Sequence, residues 1–536
     1  MNDTPQNDAK RRSGRRILFW PGCMALLVVA VVVMLRWSGK SAWEDYKRQW
    51  EAKGERFDFT SFIPKPVPTD QNFALAPIVV SSYAFCLDTN GNKISPQNTN
   101  IVDRLKLEIY GDNQLVEMPT NGPGSWTRGL TSDLKVWQNY YRALSARTNL
   151  FPVPPQPQSP AADVLLALSK YDPAIEALRL AGRLPESRFP LNYNTDRPFD
   201  ILLPHLASLK RCSQALQLRA LAELQNGQSE KALDDVKLIL RLTESIRTEP
   251  ILISHLVRIA MVQITLQPVW EGLAGHKWSD AQLTELNHEL ARLDFLADYE
   301  FSMRGERAMS IATIEHLRRK RDFQEMINVD SDTSGDNLED PFRPVAQVAY
   351  HLIPSSVFYQ NELAIARMHQ QMFYPIVDVE RRIASPETAR QSDARMTEEF
   401  SHFSIHKILA RLLVPALAKS VKRFAYAQSS VDMASVACAL DRYRLAHGEY
   451  PESLDALSPF IEKIPHDLIN SQPLHYRRTD GPLSQSSSAA SGTFLLYSVG
   501  WNETDDDGVV VMSKTGRLVD TEKGDWVWPG AVERSE

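Results

Sequence analysis

Several groupings of polar side chains in this sequence have types and spacings that could do chemistry. His402 and His406 are four residues apart, the interval that brings two imidazoles to one helical face, where zinc could bind. No glutamate follows the first histidine, so the metalloprotease pattern is incomplete. His288-Glu289 has no second histidine at the required interval. Asp294, Asp298 and Glu300 could work as paired acids only if a cleft set them opposite one another, and a solvated helix face is the simpler expectation. Asp88-Thr89-Asn90-Gly91-Asn92 begins like a calcium loop, but it lacks the glycine at the sixth position and the distal glutamate. Its Asn-Gly pair predicts a hairpin turn instead. An acidic cluster, Asp505-Asp506-Asp507-Gly508, follows an apolar run near the end of the chain. The sequence holds no nucleophile elbow, phosphate loop or dinucleotide fingerprint, so no catalytic residue is assigned.

These groups sit in a chain of 536 residues, enough for a large core and two or three domains. With 24% charged and 43% hydrophobic residues, the composition is that of an ordinary globular protein. A net charge of −6 gives no electrostatic reason to expect nucleic acid as a partner. Cys23, Cys86, Cys212 and Cys438 are far apart, without metal spacing or a disulfide framework, and are expected as buried thiols.

Membrane attachment is the firmest expectation. Ile17 to Leu35 is a run of 19 residues without a charge, long enough to cross a bilayer core as a helix. Lys10, Arg11, Arg12, Arg15 and Arg16 precede it, and Trp20 and Trp37 stand where interfacial aromatics belong. The charge bias predicts a cytoplasmic N-terminus (1–16), a single transmembrane helix (17–37) and an extracytoplasmic, periplasmic bulk anchored in the inner membrane. A cleaved signal peptide is the rival reading, but no clear Ala-x-Ala site follows.

The predicted fold class is mainly α with α+β parts. A linker (38–72) opens with an amphipathic helix over Ala42 to Arg56 and passes into the proline-rich Ile63-Pro64-Lys65-Pro66-Val67-Pro68. A small β-containing region (73–160) is expected, with strands at Pro77-Ile78-Val79-Val80 and Leu105 to Tyr110. The helical domain (161–400) follows, with helices predicted over Leu202 to Leu224, Ser229 to Thr243, Ile251 to Leu273 and Ala281 to Asp298. An acidic linker runs from Asn328 to Asp340, and helical character returns over Val345 to Val379. The C-terminal part (401–536) predicts one long helix from Ile405 to Ala446 with Gly448 just beyond its end. Strands at Leu474 to Arg478, Phe494 to Val499 and Val509 to Met512 would complete a three-stranded antiparallel sheet.

Two resemblances bear on function. Leu218 to Leu240 resembles one tetratricopeptide helix pair, with Ala220 in the first helix, Gly227 in the turn and Ala232 five residues after it. The segment from Leu413-Val414-Pro415 to about Met512 resembles the soluble part of the major pseudopilin of type II secretion systems. The likeness runs through Ala439 to Leu445, Gly448-Glu449-Tyr450-Pro451, Pro473-Leu474-His475-Tyr476 and Leu496-Tyr497-Ser498-Val499-Gly500. It covers about a hundred residues. It implies a calcium ion held in the last loop, with Asp505, Asp507 and Asp506 at the matching positions. Clustered carboxylates suit such a hard cation. Unlike that family, the apolar segment carries no glutamate and lies far upstream of the resembling part. The function expected is a non-catalytic envelope scaffold or interaction protein with membrane and protein partners. The alternatives are an accessory component of a secretion or pilus-like apparatus, stabilised by calcium, and an exported enzyme with a scattered site.

Overall fold

Apolar residues at intervals of three and four fill the middle of the chain. In the computed structural model they form the helices of a mainly helical body with small antiparallel sheets. The structure describes residues 39–84, 103–111, 115–119, 122–321, 353–402, 404–479, 494–516 and 518–531. The expected membrane helix, Cys23, Cys86, the Asp88 to Asn92 turn and the acidic linker from Asn328 to Asp340 lie outside them.

Residues 39–51 are helical (α1), and the chain then turns back so that Trp43 packs edge-on against Phe57, with ring centroids 5.5 Å apart. Next come α2 (Leu134–Thr148), α3 (Pro160–Leu168) and α4 (Asp172–Gly182). Asp133 and Ser159 cap the first two of these through side-chain oxygens that accept backbone N–H groups. Helices α5 (Pro204–Gln225), α6 (Ser229–Glu244) and α7 (Leu252–Ala274) match the sequence expectation closely. Ala220 and Ala232 are fully buried where α5 and α6 pack together, and Gly227 supplies the left-handed residue between them, at φ 73°. Helix α7 is long and apolar enough to cross a membrane, yet most of it is buried among α5, α6 and other helices.

The single helix expected over Ala281 to Asp298 is two: α8 (Asp280–Leu290) and α9 (Phe295–Lys320). Asp294 makes the break, because its carboxylate accepts from the N–H groups of Leu296 and Ala297 and caps a new start. Helix α10 (Ser355–Met368) runs on into a π-turn, His369–Phe373. The small hairpin β1 (Val377–Asp378) and β2 (Ile383–Ala384) and helix α11 (Pro386–Ser401) follow.

The long helix expected from Ile405 is also interrupted. Pro415 lacks the N–H that would continue it and opens a one-turn helix, Pro415–Ala418; only then does α12 (Ser420–His447) run unbroken. It ends at Gly448, whose φ of 83° is the left-handed cap and whose N–H donates to the Arg444 carbonyl at 2.8 Å.

Two strand expectations need correction. Pro77–Val80 is a helical turn, since proline at a first helical position presets φ and outweighs the β-branched residues after it. Leu105, Leu107 and Ile109 do alternate inward, but the segment pairs with no strand among the described residues. Its carbonyls are taken by side chains instead: the Tyr141 hydroxyl donates to Ile109 and the Tyr171 hydroxyl to Glu108. The C-terminal sheet differs as well. Strands β3 (His475–Arg478) and β4 (Phe494–Ser498) pair antiparallel, whereas β5 (Val510–Met512) pairs only with β6 (Val519–Gly524). The third strand beside β4 is β7 (Trp526–Trp528), with Leu496 opposite Trp528 and Ser498 opposite Trp526. The Trp-Val-Trp strand wins that edge because all three residues are buried there, while β5 is only half-buried.

One core runs from Trp43 and Phe57 through α5 to α9 and on to α12, β4 and β7. A second gathers Phe59 to Ile109 against α2 to α6. The boundary expected at residues 400 and 401 therefore falls inside a shared core. Helix α12 packs on α7, α8 and α9 as well as on its own sheet.

Candidate functional site

The acidic loop holds its carboxylates apart. Asp505 Oδ1 accepts from the Tyr497 hydroxyl at 2.9 Å and the Asp507 N–H at 3.0 Å, while Oδ2 lies 3.4 Å from His475 Nδ1. The Asp507 N–H keeps the Asp505 carboxyl below the usual carboxylate range. Asp506 Oδ2 accepts from Asn502 at 2.7 Å, and Asp507 Oδ1 pairs with Arg477 at 3.0 Å. The loop is organised around an acid the sequence did not single out. Asp525, fully buried, accepts from the N–H groups of Gly508 at 2.7 Å and Asp506 at 3.2 Å. Burial pushes its carboxyl up to about 6, with the charges of Asp506 and Asp505 adding to the effect. Among the described residues no three His, Cys, Asp or Glu side chains converge on a point that could hold a metal ion. As placed, Asp505, Asp506 and Asp507 serve a hydrogen-bonded turn.

The histidine and acid groups also separate. His402 ends α11 in extended backbone and His406 lies in the following 3-10 turn, so they do not share a helical face; both are exposed. His288 is exposed, 3.8 Å from Glu289. Asp298 belongs to a buried network: Arg258 holds it and Glu244, and donates from Nε to the Thr243 carbonyl at 3.0 Å. Burial opposes ionisation of Asp298, but the Arg258 charge wins and keeps the carboxyl below its ordinary range. Glu300 pairs with Arg304 at 2.6 Å. Glu223 and Asp235, overlooked in the sequence, are buried beside Arg219 and Arg179, and burial pushes both carboxyls above the ordinary range. The Arg258, Arg179 and Arg219 pairs tie helices together: Arg258 joins α7 to α6 and α9, and Asp235 of α6 joins Arg179 of α4 and Arg219 of α5.

A cleft of about 530 Å³ lies between α8, α12 and the loop at 458–466. Its floor is built by four elements. Arg382, in the β1–β2 turn at φ 54°, donates from Nη2 to both oxygens of Asp432 at 3.1 and 3.2 Å. Gln428, one turn earlier on α12, donates to Asp432 at 2.8 Å and accepts from the Phe295 N–H at 2.7 Å, which fixes the start of α9. His466 Nε2 lies 3.2 Å from the Arg382 carbonyl. Arg442 closes one end, donating to Asp280 at 2.8 Å and the Phe460 carbonyl at 2.7 Å. Burial raises the Asp432 carboxyl, opposed by the Arg382 charge. The floor is thus stiff, and Asn287, His288, Glu462 and Lys463 also line the cleft. Such a surface can hold a partner by charge and hydrogen bonds. Gln428 and Asp432 were readable as polar residues interrupting an apolar helix at an interval of four, but Arg382 and Arg442 reach the cleft only through the fold.

Comparison with protein-family models, with curated proteins and with solved structures found no match.

Proposed function

We propose that this protein is a single-pass, membrane-anchored scaffold or interaction protein of the bacterial envelope, with its body outside the cytoplasm and the cleft beside α12 as a docking surface for a protein partner. One observation carries the reading: the chain leaving the uncharged stretch enters the core at once. Trp43 and Phe57 belong to the same core as α12, and Glu55 pairs with Arg304 at 3.2 Å and Arg307 at 2.7 Å. Arg307, itself fully buried, stacks 4.4 Å from the Phe57 ring. Only a few residues separate the uncharged stretch from Trp43, which suits a scaffold better than a long tether would. The test is extraction of membranes with alkaline carbonate. Wild-type protein is expected to stay in the pellet, and Val29→Arg/Val32→Arg is expected to lose membrane retention. Release of the wild type by carbonate would overturn the anchor.

A second reading, an accessory component of a secretion or pilus-like apparatus, is supported by the order of α12, its Gly448 cap and the antiparallel β3–β4 pair, of which β4, with β7, packs on that helix. Because α12 is covered on its other side by α7, α8 and α9, it is not available as a polymerising stalk. Recovery of secretion-system subunits on mild detergent purification would favour this reading over the first.

A further inference from the structure

Between α11 and α12 the chain crosses the surface as a 3-10 turn, Ile405–Lys407, and a short helix, Ile408–Leu413. Leu409 and Ala410 face the core, at 8% and 0% exposure. The opposite face of such a helix is ordinarily polar, yet Ile405, Ile408 and Leu412 stand on it, 39%, 44% and 38% exposed. Intervals of three and four bring them to one side, the first across the 3-10 turn and the second along the helix. A single exposed aliphatic side chain needs no explanation, but a stripe of three asks for a cover.

Two observations point to the cover. The first is where the uncharged stretch ends. Leu35 stands four residues before Gly39, at most about 14 Å of extended chain. Gly39 packs so closely on α10 that a Cβ there would lie 2.9 Å from Ser356 Cβ. Asn361, five residues and about 7.5 Å further along α10, is fully buried and holds the stripe. Its Nδ2 donates to the Ile405 carbonyl at 3.1 Å, and its Oδ1 accepts from the Leu409 N–H at 2.9 Å. One helix therefore carries both the end of the uncharged stretch and the apolar stripe. The second observation is charge. From Phe400 to Val431 the sequence has five Lys or Arg and no Asp or Glu. Lys407 and Lys422 reach acids elsewhere, whereas Arg411 and Arg423 are exposed and form no ion pair among the described residues. Aliphatic side chains beside unneutralised arginine match the surface of a bilayer, where acyl chains lie beneath phosphate groups.

We infer that Ile405, Ile408 and Leu412 rest in the headgroup layer of the bilayer that holds the N-terminal stretch, with Arg411 against lipid phosphate. This is a second, peripheral lipid contact, made by a segment far along the chain. It rests on the membrane-anchored reading and is independent of the cleft. With the anchor at one end of α10 and the stripe fixed to it by Asn361, the two contacts together set the attitude of the body to the membrane.

The experiment uses the full chain in vesicles containing phosphatidylglycerol, with Ile408→Cys carrying a nitrobenzoxadiazole dye. Cys23→Ser and Cys86→Ser remove competing thiols, since Cys212 and Cys438 are fully buried. Lipid bearing a nitroxide high on its acyl chain quenches a dye in the interface, and iodide quenches one in water. Leu445→Cys is the reference, 46% exposed on the last turn of α12 and roughly 37 Å along that helix from Ser420. Nitroxide quenching at 408 is expected to exceed that at 445 by at least about threefold, with iodide in the reverse order. Leu412→Cys should repeat the result and serves if the dye at 408 disturbs the turn. Iodide quenching at 408 and 412 as strong as at 445 would overturn the inference. So would protection from both quenchers, which means a protein cover, from a second copy or from residues 322–352. An alkaline carbonate wash of the same vesicles separates the two readings. Release of the protein overturns the anchor and this contact together, while retention with 408 open to iodide overturns this contact alone.

Discussion

Asp525 shows how a single carboxyl organises a loop. It accepts two N–H groups from the acidic turn while lying among like charges, and burial raises its carboxyl from the ordinary 3.8 to about 6. A carboxyl raised on folding is protonated in the folded protein over a range where the unfolded chain has lost its proton. Its contribution to stability is therefore present at low pH and lost as pH rises from about 4 to about 6. Asp525→Asn cannot titrate, so the variant should gain on the wild type across that window, by on the order of 2 kcal/mol, and hold a constant difference above about pH 7. Thermal melts at a series of pH values check this, and a difference independent of pH would contradict it. The sequence displayed Asp505, Asp506 and Asp507 as a cluster. It did not display Asp525, because what sets that residue apart is burial between β6 and β7 against the acidic turn.

Among the elements, the close approach of α9 to the turn before α7 depends on Gly305. A Cβ there would stand 2.0 Å from the Pro250 carbonyl oxygen, which belongs to backbone and cannot step aside. Gly305→Ala should cost about 3 kcal/mol, read as a lowered denaturation midpoint. Gly227→Ala, where the left-handed φ of 73° is needed but nothing lies within 4 Å, should cost only about 1 kcal/mol. Equal losses at the two positions would deny the tight contact. Helices α5, α6 and α7 were legible to within a few residues because the period of their apolar residues and the Gly227 turn agree. The breaks at Asp294 and Pro415 were overrun, since apolar periodicity continues across both while the capping carboxylate and the missing N–H decide the boundary. The strand at Leu105 to Tyr110 was misassigned for a different reason. Its inward alternation is real, but tyrosine hydroxyls from neighbouring helices satisfy its backbone where a partner strand was expected.

For the whole molecule, the shared core makes the C-terminal part inseparable from the helices. Trp270 Nε1 donates to the Pro529 carbonyl at 2.7 Å and Trp126 packs 5.4 Å from Trp528, so the last strand is clamped by residues far earlier in the chain. Removing residues 402–536 would expose the faces of α7, α8 and α9 that α12 covers. The remainder should be insoluble or molten, as judged by loss of near-ultraviolet circular dichroism; a cooperative melt of that fragment would show independent domains. The helix-then-sheet order of the tail was legible in the sequence, but its burial in the common core was not, because pairwise packing between distant segments leaves no local pattern. The anchored body facing away from the cytoplasm is the proposal that the charge asymmetry around the uncharged stretch supports. The direct measurement is a fusion at the C-terminus to alkaline phosphatase, which is active only outside the cytoplasm, compared with a fluorescent reporter that matures only inside it. Strong phosphatase activity and a dark fluorescent fusion are predicted; a bright fluorescent fusion with inactive phosphatase would contradict the account.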